Sequence, residues 1–108
     1  MSWILVFIFA LIIMALIGII IWLWLKLKKY PISSFTFSPS SASVGQTVTY
    51  TNKSMNATKY IWEFGDGLTM ENSVNATHIY SNPGTYIISL IAINGELTSI
   101  LKQTITVS

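Results

Sequence analysis

The chain has 108 residues, of which 52% are hydrophobic, 9% are charged and none is cysteine. That is too apolar for one ordinary soluble domain, where about a quarter of residues are charged, and too apolar for disorder; the missing thiols exclude a disulfide scaffold, a thiolate metal site and a cysteine nucleophile. The net charge of +2 comes from Lys26, Lys28 and Lys29, because residues 31–108 hold three lysines against four acids, and with no arginine the chain lacks the basic surface that nucleic acid requires.

From Trp3 to Leu25 no residue is charged. As a helix this run is roughly 34 Å long, enough for a hydrocarbon core of about 30 Å. Trp3 at one end and Trp22 and Trp24 at the other suit the two membrane interfaces, and Lys26, Lys28 and Lys29 close the segment before Pro31 stops the helix. A cleaved signal peptide has a basic start, a shorter apolar run and a small-residue cleavage site, none of which is read here. A core helix shows polar positions at helical spacing, and this run has none. The expected organisation is a transmembrane anchor over 1–29, a short linker over 30–34 and a β domain over 35–108.

After the linker every segment reads as strand. ISSFTFS, TVTYTN, KYIWEFG, ATHIYS, TYIISLIAI and TSILKQTITV are rich in β-branched and aromatic residues, and SPSSASVGQ, GDG, SNPG and NGE separate them as turns. Six or seven short strands at this spacing predict a small sandwich. Tyr60, Trp62 and Phe64 alternate along one strand, and Tyr86, Ile88, Leu90 and Ala92 along another.

The string YIWEFGDG, then THIYSNPGTYIISLIAIN, then TITV, resembles the PKD (polycystic kidney disease) domain family. Trp62, Phe64, Gly65, Asp66 and Gly67 match its W-D-F-G-D-G hallmark, with Glu63 where the family usually has Asp. His78, Tyr80, Pro83, Gly84 and Tyr86 match the H-x-Y and x-P-G-x-Y patterns that follow. The resemblance implies an all-β, immunoglobulin-like sandwich of the kind found on cell-surface proteins. It implies a structural place for His78 on a strand and for Trp62 between the sheets. The Gly65-Asp66-Gly67 segment turns the chain, with Asp66 accepting backbone N–H bonds, and Tyr86 is placed to bond upstream backbone.

No lipase-type serine elbow, phosphate loop or calcium-binding run of acids occurs. Neither an enzymatic activity nor a cofactor is expected. Three glycosylation sequons begin at Asn52, Asn56 and Asn75. They point to an extracellular β domain, whereas the lysine cluster after the helix, read by the positive-inside rule, points the other way; the sequons and the resemblance together outweigh it. If Tyr86, Ile88, Leu90 and Ala92 face inward, Ile87, Ile91 and Ile93 face outward, joined by Ile61 from the tryptophan strand. A contiguous apolar patch marks a contact site, so these isoleucines are the candidate interaction face.

The expected function is that of a non-enzymatic, single-pass surface or envelope protein. Its partners are membrane lipid and neighbouring surface, coat or envelope proteins (or glycans), a second copy included. The isoleucine-rich, arginine-free composition fits an archaeal envelope or an enveloped virion. The alternative is a pilin-like filament subunit, against which stand a start at Met1 that reads as neither a basic leader nor a processing site and the crowding that the lysines of 26–29 would meet in a fibre.

Overall fold

The structure, a computed structural model, describes residues 2–27 and 29–108, with the side chains of residues 25–27 outside that description. Of the expected interface lysines, Lys28 and the side chain of Lys26 therefore lie outside the described residues.

Helix α1 runs Ser2–Leu27. Every side chain from Ser2 to Trp24 is exposed, and none of this apolar length is buried against the rest of the chain. A helix that is apolar on all faces needs an apolar surrounding, and the β domain does not supply it. The core-helix alternative is thereby removed.

Eight strands follow: β1 Phe35–Ser38, β2 Ser41–Ala42, β3 Thr47–Asn52, β4 Lys59–Glu63, β5 Thr69–Glu71, β6 Ala76–Ile79, β7 Gly84–Asn94 and β8 Leu97–Val107. They form a three-stranded sheet ordered β1-β3-β6 and a five-stranded sheet ordered β2-β8-β7-β4-β5. All pairings are antiparallel except β2 with β8. β7 and β8 make one long ribbon closed by a two-residue loop, in which Gly95 takes φ 62°, the left-handed conformation that tight hairpins require.

The six expected strands are all present. Two short ones, β2 and β5, were not foreseen: Ser41 and Ala42 lie in a stretch read as a turn, and Thr69–Glu71 is too short to show a period. Both are edge strands, formed by pairing with β8 and β4.

The core lies between the sheets. Phe35, Val48, Tyr50 and Ala76 come from the three-stranded sheet, and Trp62, Ile88, Leu90, Ile105 and Val107 from the other. Trp62 is fully buried, with Phe35 at 5.3 Å edge-on and Tyr50 at 5.7 Å, inside the range where aromatic pairs attract beyond their area. Its indole Nε1 donates to the Ser73 carbonyl at 3.0 Å.

Residues 30–34, expected as a linker, are tied into the sandwich. Pro31 is buried, Ile32 bridges Met55, and Ser33 Oγ donates to the Leu90 carbonyl at 2.6 Å. Ser34 N donates to Ser54 Oγ at 3.0 Å. The antiparallel pairing of β1 carries on in register through this segment, because Lys53 N donates to the Ser34 carbonyl at 2.7 Å and Ile32 and Met55 exchange both backbone bonds at 2.9 Å. Asn94 Nδ2 donates to the Lys29 carbonyl at 2.8 Å, so the chain enters the domain at the tip of the β7–β8 ribbon.

Candidate interaction face

Two features stand out beyond the core: a polar clamp at one end of the sandwich and an apolar stripe on the outside of the five-stranded sheet. The clamp starts at Gly65, whose φ is 85° and where an added Cβ would meet the Ile87 carbonyl oxygen at 2.6 Å. Only glycine lets the turn press this closely on β7. Asp66 Oδ1 accepts from Leu68 N at 3.1 Å, holding the turn, and its Oδ2 meets His78 Nε2 at 2.6 Å. The His78 ring lies flat on Phe64, with centroids 4.1 Å apart and planes at 3°. Tyr80, fully buried with Tyr50, donates from its hydroxyl to the Phe64 carbonyl at 2.9 Å. A phenol has one proton, so in the 2.9 Å contact between the two hydroxyls Tyr50 is the donor. Tyr86 stacks on Tyr80 at 4.4 Å and donates to the Asn82 carbonyl at 2.7 Å.

His78 and Tyr50 belong to the three-stranded sheet, and Asp66 and Phe64 follow β4 of the other. The clamp therefore joins the two sheets. Burial is the main force holding both phenols above their ordinary pKa, with the neighbouring tyrosine adding for Tyr50 and opposing for Tyr80. The Asp66–His78 contact is the only carboxylate–base contact among the described residues, and its neighbours are rings. Among the described residues no group of three His, Cys, Asp or Glu side chains is placed to hold a metal. The geometry stiffens a scaffold. The Asp66–His78 contact was not read from the sequence. Its only signal is that both residues belong to the motifs of the resemblance, since twelve positions of separation say nothing of contact.

The stripe follows from strand register. On the outer face of the five-stranded sheet, Ile61 pairs across to Ile91 and Ile91 to Ile100, in one row that ends at Glu71 on β5. One step towards the chain's entry lie Lys59, Ile93 and Thr98, and one step away lie Glu63, Ser89 and Lys102. Ile87 and Ile100 are 54% and 55% exposed, while Ile61, Ile91 and Ile93 are half-buried. The structure thus gathers Ile61, Ile91, Ile93 and Ile100. It sets Ile87 apart, beyond Ser89 and beside Thr104. Ser89 is only 6% exposed although it faces outward, being a short side chain between two long ones.

The sequons divide. Asn56 and Asn75 are exposed. Asn52 sits on β3, where its amide nitrogen is buried without a partner, its side-chain oxygen accepts from Ser54 N and its backbone N–H donates to Asn75 Oδ1. The folded domain leaves no room for a glycan at Asn52. Trp3 and Trp24 are 21 residues apart on α1, about 32 Å along the axis, and Trp3, Trp22 and Trp24 are all exposed.

The family model of the PKD domain matches residues 29–108, the whole sandwich with its entry segment. The chain belongs to the PKD domain family. It is 32% identical over 78 residues to human polycystin-1-like protein 1, a match covering 70% of this chain and 3% of that protein. A solved structure described as a study of the promiscuous specificity of carbohydrate-binding modules from the β-sandwich superfamily superposes with TM-score 0.69 at 31% identity, over 74% of this chain and 35% of that one. The PKD1 domain of the Vibrio cholerae metalloprotease PrtV superposes with TM-score 0.64 at 26% identity, over 74% of this chain and 99% of that domain. The chain thus spans only a small part of the first two. PKD domains are in general non-catalytic modules for protein or carbohydrate contacts. This one follows a helix long and apolar enough to cross a membrane.

Proposed function

We propose that this chain is a non-enzymatic, single-pass membrane protein whose PKD domain stands outside the cell or virion and contacts neighbouring surface, coat or envelope proteins. The observation that carries the reading is the pairing of α1, apolar and exposed from Ser2 to Trp24, with a sandwich whose bonded entry segment begins at Lys29. In the bilayer Trp3 lies at one interface, and Trp22, Trp24, Lys26, Lys28 and Lys29 at the other. The exposed sequons at Asn56 and Asn75 support an exported domain, and the clamp gives it rigidity without chemistry. A module held this close to the lipid suits a structural role in an envelope, such as that of an archaeal cell or its virus, better than long-range reach.

The test is extraction of native membranes with alkaline carbonate, together with mass spectrometry of the mature N-terminus. Retention of a chain that still carries residues 3–25 is expected. Release by carbonate, or a mature chain lacking those residues, overturns the anchor; the second outcome identifies α1 as a cleaved signal or leader.

A further inference from the structure

The register of the outer face has a symmetry of its own. β7 lies between β4 and β8, and Ser89 is its midpoint. Turning the sheet over about an axis along β7 exchanges β4 with β8 and keeps each cross-strand row level. In the row Ile61–Ile91–Ile100, Ile61 then meets Ile100 of the second copy, and Ile91 meets its own equivalent. In the row Glu63–Ser89–Lys102, Glu63 meets Lys102 of the second copy, twice over by symmetry, with the two small Ser89 side chains between them. Apolar thus falls on apolar and acid on base. Within one chain Glu63 and Lys102 are two strands apart, roughly 10 Å, and neither is in an ion pair among the described residues.

The same axis is the one a bilayer permits. Two copies anchored in one membrane with the same orientation can share a closed two-fold only along the membrane normal. The molecule measures 83 × 20 × 16 Å. A 26-residue helix of about 39 Å and 11-residue strands of about 37 Å both exceed its width, so both run along its length. The chain enters at the tip of the β7–β8 ribbon, which sets that ribbon upright on the anchor. We propose that the outer face of β4, β7 and β8 is a self-complementary surface on which a second copy of this chain docks, about a two-fold axis along β7. The axis argument rests on the anchored reading above; the register argument does not.

The chain has no cysteine, so single cysteines report position cleanly. Facing sheets lie about 10 Å apart, too far for a direct disulfide. The reagent is therefore a bis-maleimide with a spacer of about 8 Å, applied to the full-length chain in membranes. Ile91→Cys is expected to cross-link to a dimer, and Thr49→Cys, exposed on the other sheet, is not. Co-expressed Ile61→Cys and Ile100→Cys chains are expected to cross-link to each other, which provides a readout should Ile91→Cys fail to fold. On the Ile91→Cys background, Glu63→Lys or Lys102→Glu sets like charges opposite each other at both symmetry-related contacts and lowers the dimer at least about tenfold. The double swap restores it. Equal cross-linking at positions 91 and 49, or a double swap no better than the single changes, overturns the proposal. Carbonate resistance is scored in parallel. A resistant chain without cross-links at 91 or between 61 and 100 overturns the dimer and leaves the anchor standing, whereas release by carbonate fails the anchor whatever the cross-links show.

Discussion

Trp62 fills the middle of the core, touching rings from the opposite sheet. Removing such a ring costs about 3–5 kcal/mol, and a domain of this size has little more to lose. Trp62→Ala is expected to abolish the cooperative melt followed by near-ultraviolet circular dichroism. Gly65→Ala is expected to cost more than about 1 kcal/mol, because the methyl group meets β7 backbone and φ is positive; urea midpoints compare it with wild type. The tyrosine clamp makes a pH prediction. Tyr50 and Tyr80 have pKa values raised in the fold by burial. Above about pH 10 the unfolded phenols give up protons that the folded ones keep, so the unfolded state binds fewer protons and stability falls as pH rises. The contribution is complete below that pH. A urea midpoint that drops between pH 8 and pH 11, and drops less in Tyr50→Phe, is the expected result.

Elements were legible in proportion to their length and burial. β7 alternates because one of its faces packs on the other sheet, and TYIISLIAI shows that period without a structure. β2 and β5 are two- and three-residue pieces, each with one apolar residue, that become strands because β8 and β4 offer them an edge, so no local pattern announces them. The segment after α1 shows the same limit: its serines look like linker residues until Leu90 and Ser54 supply their partners. Ser33→Ala deletes the bond to a buried carbonyl and is expected to cost about 1–3 kcal/mol. Hydrogen exchange should quicken at the amides of Ile32, Ser33 and Ser34, which donate to Met55, Ser99 and Ser54. Unchanged protection there means the segment is held without the Ser33 hydroxyl.

The whole molecule is a rigid head on an apolar stem. Because the described side chains of α1, Ser2 to Trp24, bury nothing against the sandwich, residues 29–108 made alone should melt within a few degrees of the full-length chain in detergent, and should need no detergent themselves. A melt lowered by much more than that, where 1 kcal/mol corresponds to about 4–8 °C in a domain of this size, means that the helix supports the fold. The proposed interface follows the same division of labour: stem and head each expose apolar surface, and that of the head carries Glu63 and Lys102, placed to meet the opposite charge of a second copy across a two-fold.

Properties written in local order are legible without a structure: an uncharged run long enough for a bilayer, alternating strands, turn glycines, and the motifs Trp62–Gly67 and His78–Tyr86. Each depends on neighbours a few residues away, so periodicity and composition reveal it. The outward isoleucines were legible for the same reason, as the off-phase positions of buried strands. Which distant residues meet depends on how the two sheets pack. Asp66 reaches His78 because two sheets close over Phe64, Asn52 loses its accessible amide because Asn75 packs beside it, and Ile87 is set apart from Ile61, Ile91 and Ile100 by the register of three strands. These outcomes are fixed by chain crossings and pairing offsets, and a shift of one residue in a strand would reverse them while leaving every local pattern unchanged.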